Sequence, residues 1–313
     1  MQNKPCVAVG ISGGIDSAMT AYLLKESGFR VIGITMQTWD QNKAMEKVIK
    51  SGCFGPAQEE SIQSAARLCQ KMGIEHYVIP LQEEFQQKVI NYFCQTYLRG
   101  KTPNPCLVCN AYIKFALLPE KAHSLGLEFD YFATGHYAKV DYNEELQRYQ
   151  IKKAKDTNKD QSYFLAFLTQ EQLARTLFPL WNYTKPEIKK MAADIGFGEL
   201  VSRQESQDFL QSSDLAVLFK AEDFQEGEIV DLSGKVIGTH KGIINYTIGQ
   251  RRNLGVKGFH EPRFVLEIDA EKNRIVIGTK EYLFKNRCLA TNMNWVSISA
   301  PAKQFRAKAK IRF

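Results

Sequence analysis

The segment Gly-Ile-Ser-Gly-Gly-Ile-Asp-Ser at residues 10–17 contains the residue types of a phosphate-binding loop. Gly13 and Gly14 allow the backbone to curl, so that successive N–H groups face one anion. A helix that begins directly after these glycines would add the positive end of its dipole. Ser12 and Ser17 could donate hydroxyl hydrogen bonds to phosphate oxygens. The segment therefore predicts a phosphate site.

The acidic residue of this loop, Asp16, admits two interpretations. Its carboxylate would repel a bare phosphate, so it predicts either a bound divalent cation such as Mg²⁺ or a role in orienting the loop. The loop is not a Walker A motif, because no lysine follows Gly14. The simpler alternative is an Asp/Ser helix cap after a glycine turn.

Cys106 and Cys109 form a C-x-x-C pair in a proline-rich loop. In an α/β protein such a pair could be a redox pair, half of a metal site, or two unrelated thiols. The neighbouring Pro103 and Pro105 stiffen the loop, which suits a reactive side chain held over a substrate.

Strand and helix patterns alternate over the first two-thirds of the chain and must position these residues. We predict strands at residues 6–11, 31–36, 76–80 and 131–134. We predict helices at residues 16–27, 57–72, 83–97 and from about residue 113. This alternation implies a parallel sheet, as in α/β proteins.

The pattern then becomes richer in strands. A hairpin is predicted at residues 138–141 and 148–152, and helical pieces at residues 170–177 and 185–195. After about residue 201 the hydrophobic period changes from 3.6 to 2. Strand candidates follow at residues 229–232, 236–238, 243–248, 264–268 and 274–277. We therefore predict an α/β domain followed by a smaller β-rich segment.

The composition is that of an ordinary globular protein. The 313 residues are 44% hydrophobic and 24% charged, which excludes a disordered or collagen-like chain. No apolar run reaches the roughly 18 residues of a membrane span, and we see no secretory signal. Seven scattered cysteines predict a reducing compartment, the cytoplasm, rather than a disulfide framework.

The charge is concentrated in the last 33 residues. The chain carries a net +7, and residues 281–313 contain seven cations against one anion, Glu281. Such a patch predicts contact with a polyanion, most often a nucleic acid or a membrane surface. The alternative is a solvated strand face, because cations alternate with apolar residues over residues 306–313.

The loop at residues 10–17 resembles that of the PP-loop ATPases, which cleave ATP between the α and β phosphates. Further motifs follow it in order: Met-Gln-Thr-Trp at 36–39, Thr-Pro-Asn-Pro-Cys-Leu-Val-Cys-Asn at 102–110, Ala-Thr-Gly-His-Tyr at 133–137, Asn-Lys-Asp-Gln-Ser-Tyr-Phe-Leu at 158–165, Glu-Ser-Gln-Asp at 205–208 and Tyr-Thr-Ile-Gly-Gln-Arg at 246–251. In this order and spacing they resemble the tRNA-specific 2-thiouridylase family.

The resemblance implies both an architecture and a reaction. It implies a PP-loop (adenine nucleotide alpha hydrolase-like) domain at residues 1–203, a small β-rich central domain at 204–280, and an incomplete basic C-terminal β-barrel at 281–313. ATP would adenylate the C2 oxygen of the wobble uridine, and sulfur would then replace that oxygen. The implied partners are the anticodon stem-loop of tRNA and a sulfur donor or carrier protein, with no membrane.

The resemblance also assigns site residues. The implied ATP contacts are Gly10, Ile11, Ser12, Gly13, Gly14, Ile15, Asp16, Ser17, Met36 and Gly135. The implied tRNA contacts are Asn104, Pro105, Cys106, His136, Lys159, Asp160 and Gln161. Cys109 takes the position of the attacking cysteine, and Asp16 and Cys106 complete the expected catalytic set.

Two positions depart from the family pattern. Cys106 stands where the family usually has Asp, and Leu210 stands where it has the cysteine that carries the persulfide sulfur. Cys106 could instead form a disulfide with Cys109 after sulfur transfer. Alternatively, Cys53, Cys106 and Cys109 could hold a [4Fe–4S] cluster with one open iron. Loss of activity is the third interpretation.

Two other functions remain as alternatives at this point. One is a different PP-loop ligase that forms AMP and acts on a small molecule. The other is a non-catalytic, tRNA-binding relative of the family. The C-x-x-C loop and the basic C-terminal segment argue against the small-molecule ligase, because a small substrate needs neither feature.

Overall fold

The computed structural model describes residues 4–40, 53–203, 209 and 215–311. Within these residues the strands are β1 (Cys6–Gly10), β2 (Arg30–Gln37), β3 (Glu75–Pro80), β4 (Tyr131–Ala133), β5 (Ala138–Asn143), β6 (Arg148–Lys153), β7 (Thr176–Leu177), β8 (Glu226–Val230), β9 (Val236–Lys241), β10 (Phe264–Asp269) and β11 (Arg274–Gly278). The α-helices are α1 (Ile15–Glu26), α2 (Gln58–Met72), α3 (Gln82–Phe85), α4 (Asn91–Leu98), α5 (Pro105–Val108), α6 (Leu118–Ser124), α7 (Gln170–Ala174), α8 (Lys185–Asp194) and α9 (Gly198–Val201).

The described residues divide into two units. The first comprises those within 1–88, 106–211 and 294–313, and the second those within 89–105 and 212–293. The three-part division with boundaries after residues 203 and 280 stays a prediction. No helix in the described part of the chain is both long and apolar enough to cross a membrane.

A parallel sheet forms the centre of the first unit and confirms the predicted α/β fold. Its strand order is β3-β2-β1-β4-β7, and every neighbouring pair is parallel. Val7, Ala8 and Val9 of β1 are completely buried. This continuous apolar run is typical of a central strand that is covered on both faces. From α1, Ala18 and Met19 are also buried in the same core.

The fifth strand corrects one prediction. The helix predicted at residues 170–177 ends at Ala174, and Thr176 and Leu177 form β7 instead. The backbone register pairs these two residues with Phe132 and Ala133 of β4. Pairing with the sheet edge gives this short segment backbone partners, which its sequence period does not reveal.

Two helical runs contain π-helical segments. One segment, at Gln86–Ile90, joins α3 to α4, and the other, at Cys109–Leu117, joins α5 to α6. The predicted helices at 83–97 and from about 113 are thus confirmed, although the second run begins already at Pro105. A proline is accepted in the first turn of a helix. π-Helical segments are frequent at functional sites, and Cys109 begins one of them.

The second unit contains a four-stranded sheet, as predicted for a β-rich domain. Its strand order is β10-β11-β8-β9, with two antiparallel hairpins joined by a parallel pairing of β8 and β11. Val265, Ile275 and Ile277 are buried in its core. Tyr97 and Leu98 of α4 pack against the same core.

One predicted strand of this unit is wrong. Residues 243–248 contain a 3₁₀ turn at Ile243–Asn245 rather than a strand. Gly242 has a φ of 102°, which turns the chain just before it. The turn allows the consecutive Ile243 and Ile244 both to be buried, whereas a strand would direct them to opposite faces.

The strand predicted at residues 306–313 is also not formed within its described part. Residues 306–311 are irregular, and the described chain has no strand after β11. A strand requires a neighbouring strand to receive its backbone hydrogen bonds. The described residues of this segment have no such neighbour, so alternation of charge alone does not make the segment a strand.

Candidate active site

A cavity of about 310 Å³ lies in the first unit, at the carboxyl ends of β1, β2 and β4. The predicted site residues that line it are Gly10, Ile11, Ser12, Asp16, Ser17, Met36, Cys53, Gly135, His136 and Gln161. Lining residues that we did not predict are Ile34, Thr35, Gln58, Ser61, Ile62, Lys114, Leu118 and Thr134. Ligands of open α/β sheets bind at this edge of the strands.

The glycine loop between β1 and α1 has the geometry of an anion site. Gly13 has a φ of 78°, and a Cβ there would lie 2.8 Å from the carbonyl oxygen of Ser61, so no other residue fits without rearrangement. Gly14 precedes α1 and provides no side-chain cap. The N-cap position therefore leaves the first amides of α1 open, which suits a helix end that binds an anion.

The two serines of the loop have different roles. Ser12 is exposed and lines the cavity. Ser17 is buried, and its hydroxyl donates to the carbonyl oxygen of Gly14 at 2.9 Å and lies 3.2 Å from the backbone nitrogen of Ser12. Ser17 thus shapes the loop, rather than offering its proton to a phosphate. The side chain of Ile15 is buried in the core, so only its backbone faces the loop.

Asp16 is paired with a buried lysine. The ammonium nitrogen of Lys185 lies 2.8 Å and 2.7 Å from the two carboxylate oxygens of Asp16, and the Tyr137 hydroxyl donates to the same carboxylate at 2.9 Å. Lys185 is only 6% exposed. Of the two interpretations of Asp16, this geometry supports the orientation of the loop. Lys185 and Tyr137 were both missed, since neither belongs to the loop in sequence.

A capping box fixes the start of helix α8, and Lys185 is the first residue of that helix. Thr184 accepts a hydrogen bond from the backbone of Glu187, and the Glu187 carboxylate accepts one from the backbone of Thr184. The Asp156 carboxylate also accepts from the backbone nitrogen of Lys185 at 2.9 Å. The capping motif Thr-x-x-Glu is a sequence signal for this helix start and could have located Lys185.

Gly135 permits a close approach between β4 and α1. A Cβ on Gly135 would lie 2.8 Å from the backbone carbonyl carbon of Asp16. Any larger residue would therefore push α1 away from the end of β4. The glycine thus acts through the absence of a side chain, and Met36 lines the cavity from the end of β2.

Cys109 lies at the start of the second π segment and is a protonated thiol at neutral pH. Burial raises its pKa to about 12, the charge of Lys114 opposes this rise, and Cys53 and Cys106 add to it. Cys53 lines the cavity, and its carbonyl oxygen accepts from the Thr38 hydroxyl at 2.6 Å. A nucleophilic role for Cys109 would therefore require deprotonation of its thiol.

The three thiols do not form a metal site in the described structure. Among the described residues, no group of three His, Cys, Asp or Glu side chains is arranged to hold a metal ion. Cys53, Cys106 and Cys109 thus do not fit the predicted [4Fe–4S] cluster in this arrangement. Leu210 and the motif at 205–208 lie outside the described residues.

The predicted tRNA contacts have unequal surroundings. His136 packs against Phe115 and Phe178, and burial holds its pKa well below the usual value, so that it is neutral at pH 7. Its Nδ1 lies 2.7 Å from the Thr134 hydroxyl. A neutral imidazole cannot supply a positive charge to an RNA phosphate, although it can contact a base.

The polar run at residues 159–161 is held by its own hydrogen bonds. The buried Asp160 accepts from the backbone nitrogen of Ala154 at 3.1 Å and from the Ser162 hydroxyl at 2.8 Å. Gln161 accepts from the backbone nitrogen of Tyr137 at 3.0 Å and lines the cavity. The side chain of Asp160 thus stabilises the turn, and Lys159 in the same turn is half-buried.

The remaining predicted tRNA contacts lie around the C-x-x-C pair. Asn104 and Pro105 belong to the second unit, where the backbone nitrogen of Asn104 donates to the Tyr92 hydroxyl at 3.3 Å. Pro105 is buried. Cys106 belongs to the first unit, is half-buried, and is not among the residues that line the cavity.

The Asp16–Lys185 pair gives a first prediction. Lys185→Met should destabilise the protein by about 3 kcal/mol, because it leaves the Asp16 carboxylate without its charge partner. Adding Asp16→Asn to Lys185→Met should restore part of this loss, measured by urea unfolding. Strict additivity of the two single losses would contradict a direct ion pair.

The two capping threonines give a second prediction with a matched control. Thr169 caps α7 with the same double hydrogen bond that Thr184 makes at α8. Thr169→Ala and Thr184→Ala should each cost about 1 kcal/mol of stability. Only Thr184→Ala should also weaken nucleotide binding, measured by calorimetry, since α8 begins at Lys185. Equal weakening by both variants would contradict a specific role of α8.

Comparison with known proteins identifies the family. Residues 5–211 match the family described as the tRNA methyl transferase HUP domain, and residues 216–279 match the tRNA methyl transferase PRC-barrel domain. The tRNA-specific 2-thiouridylase MnmA 1 of Caldanaerobacter subterraneus is 43% identical over 98% of this chain and 84% of its own length.

Two further relatives give the same result. The tRNA-specific 2-thiouridylase MnmA 1 of Thermoanaerobacter sp. X514 is 44% identical over 100% of this chain and 85% of its own length. The MnmA protein of Clostridioides difficile is 42% identical over 98% of this chain and 84% of its own length. The chain therefore belongs to the tRNA-specific 2-thiouridylase (MnmA) family.

Proposed function

We propose that this protein is an ATP-dependent tRNA-uridine 2-sulfurtransferase, which forms 2-thiouridine in tRNA. The observation that carries the proposal is 42–44% identity to named 2-thiouridylases over at least 98% of the chain. The alternatives of a small-molecule ligase and a non-catalytic relative are not favoured by these matches. The matched domains are described as methyl transferase domains, but the anion-binding geometry of the loop at residues 10–17 suits adenylation better.

The cavity residues fit ATP. The start of α1 has no side-chain cap, and a Cβ on Gly14 would meet only the Ser12 Oγ, at 3.6 Å, so the approach to the first amides of the helix is open. The loop at residues 10–17 would hold the phosphates, and Met36 and Gly135 would line the rest of the nucleotide site. ATP supplies the AMP group that converts the C2 oxygen of uridine into a good leaving group. Since Lys185 already neutralises Asp16, we assign Mg²⁺ to the phosphates rather than to Asp16.

The proposed substrate is the anticodon loop of tRNA. We place the wobble uridine of the anticodon loop at the cavity, because a base modified at its C2 edge must leave the base stack. His136 and Gln161 line this cavity and could contact such a base. The cytoplasm is the proposed compartment for this reaction.

The basic C-terminal segment supports contact with the RNA backbone. Its residues from 294 onward belong to the first unit. There Arg148 donates to the carbonyl oxygen of Trp295 at 2.8 Å, and Gln170 donates to the carbonyl oxygen of Val296 at 2.9 Å. The exposed cations that follow are Lys303, Arg306, Lys308 and Lys310. Exposed cations that contact phosphates release counterions on binding, so we expect tRNA affinity to fall steeply with salt.

For the sulfur, we propose the route through Cys106 and Cys109. The two lie three residues apart at a helix start, where side chains at this spacing share a face. A carrier protein that bears a persulfide would pass its terminal sulfur to Cys109 and be released as a thiol. The terminal persulfide sulfur then attacks C2, and AMP leaves.

In the second half of this route, Cys106 and Cys109 supply the electrons that reduce the transferred sulfur. The Cys106 thiolate attacks the sulfur atom of Cys109, which forms a Cys106–Cys109 disulfide and releases the sulfur as the C2 thiocarbonyl. The two cysteines thereby donate the two electrons that the sulfur accepts. A dithiol reductant restores both thiols. No step of this route requires a cysteine at position 210.

The cysteine route gives a third prediction. Cys109→Ser should abolish thiolation. Cys106→Ser should accumulate a covalent tRNA adduct on Cys109 and slow turnover about 100-fold, because only the external dithiol can then resolve the adduct. The adduct would appear as a gel band that contains both protein and tRNA, and treatment with a dithiol should remove this band. Cys94→Ser is the control, since Cys94 lies in the second unit and donates to the carbonyl oxygen of Leu218.

The same variants separate this route from the cluster. Loss of activity in Cys53→Ser together with loss of bound iron, in protein purified anaerobically, would contradict the two-cysteine route. Full activity of Cys53→Ser without iron would support it.

The overall function gives a fourth prediction. Purified protein with ATP, a persulfide donor and an unmodified tRNA carrying a wobble uridine should form 2-thiouridine, measured by mass spectrometry of nucleosides. The same tRNA with cytidine at that position is the control and should give none. Formation of AMP at equal rates with and without tRNA would instead indicate a small-molecule ligase.

A further inference from the structure

Lys114 is the one cation among the described residues that line the cavity. The other ionised lining residue is Asp16, and Lys185 already neutralises it. Lys114 is half-buried, and within the described part of the chain no ion pair or hydrogen bond engages its ammonium group. A partly buried ammonium without a counter-ion has lost part of its hydration, and a bound anion would compensate that loss. The cavity therefore presents an unmatched positive charge.

The position of Lys114 connects the nucleotide loop with the thiol. It lies five residues after Cys109 in the same π segment, Cys109–Leu117, and it lines the same cavity as the loop at residues 10–17. Its charge acts on both Cys109 and His136. His136 is neutral, so it cannot share this role. Lys114 thus shares the cavity wall with the loop and shares a helical segment with Cys109, which does not itself line the cavity.

One phosphate of ATP must lie near both the loop at residues 10–17 and the thiol chemistry. The β and γ phosphates leave as pyrophosphate and suit the loop at the start of α1, whereas the α-phosphate becomes bonded to the uridine oxygen on which the thiol chemistry acts. On the basis of the proposed function, we propose that Lys114 binds the α-phosphate of ATP and of the adenylated tRNA. Lys114 is then a catalytic residue of the adenylation step.

The chemistry of that step gives the lysine a defined role. The C2 oxygen of uridine attacks the α-phosphorus, the bond from that phosphorus to the bridging oxygen breaks, and pyrophosphate takes the electron pair. Negative charge accumulates on the non-bridging oxygens of the α-phosphate in the transition state. A fixed ammonium group beside these oxygens lowers the barrier, because the cavity excludes part of the solvent. The same ammonium then stabilises AMP as it leaves.

The test compares AMP, which contains the α-phosphate, with inorganic pyrophosphate, which does not. Lys114→Met should weaken AMP binding by about 10- to 100-fold, the range of a charge-assisted hydrogen bond, and leave pyrophosphate binding within about twofold. It should also lower the rate of tRNA-dependent AMP formation at saturating ATP, and Lys114→Arg should recover part of both effects. Lys121→Met is the control, because Lys121 pairs with Glu84 at 2.8 Å and does not line the cavity.

The outcomes separate this proposal from the function on which it rests. Unchanged AMP affinity in Lys114→Met and Lys114→Gln, both folded as judged by thermal unfolding, would overturn the role of Lys114 while wild-type thiolation stood. Equal loss of AMP and pyrophosphate binding would overturn it too, since the lysine would then act on the leaving group or on the whole site. Wild-type protein that binds ATP but forms no 2-thiouridine would refute the proposed function instead.

Discussion

The nucleotide site depends on the ion pair between Asp16 and Lys185. The first turn of α1 has to attract phosphates, yet it carries a carboxylate that would repel them. The buried ammonium of Lys185 removes that repulsion, and the Tyr137 hydroxyl fixes the carboxylate from another side. Gly135 leaves the space in which the strand end and the helix meet. The positive field of the uncapped helix end is then free to act on a nucleotide.

In the proposed sulfur route, the surroundings of Cys109 control the reactivity of its thiol. A thiol whose pKa is raised to about 12 is protonated at neutral pH and is therefore a weak nucleophile. The nearby charge of Lys114 acts against this rise. Without a cysteine at position 210, the C-x-x-C pair at Cys106 and Cys109 offers the alternative that needs no metal.

Local sequence patterns predicted most of the elements that position the site. The glycine loop, the buried strands and the placement of Met36 and Gly135 at strand ends follow from short-range rules of periodicity and turn chemistry. The partner of Asp16 does not, because Lys185 is 169 residues away along the chain and is brought in by tertiary packing. The strand predictions at 243–248 and 306–313 were wrong within the described residues, since period 2 cannot show whether a backbone partner exists.

In the proposed reaction, ATP activates the C2 oxygen of a tRNA uridine, which sulfur then replaces. The most direct measurement uses tRNA whose target uridine carries ¹⁸O at C2, and follows the label by mass spectrometry. We expect one ¹⁸O in the phosphate of AMP for each 2-thiouridine formed, because the oxygen leaves with the α-phosphate. Unlabelled AMP formed together with 2-thiouridine would contradict adenylation at that oxygen.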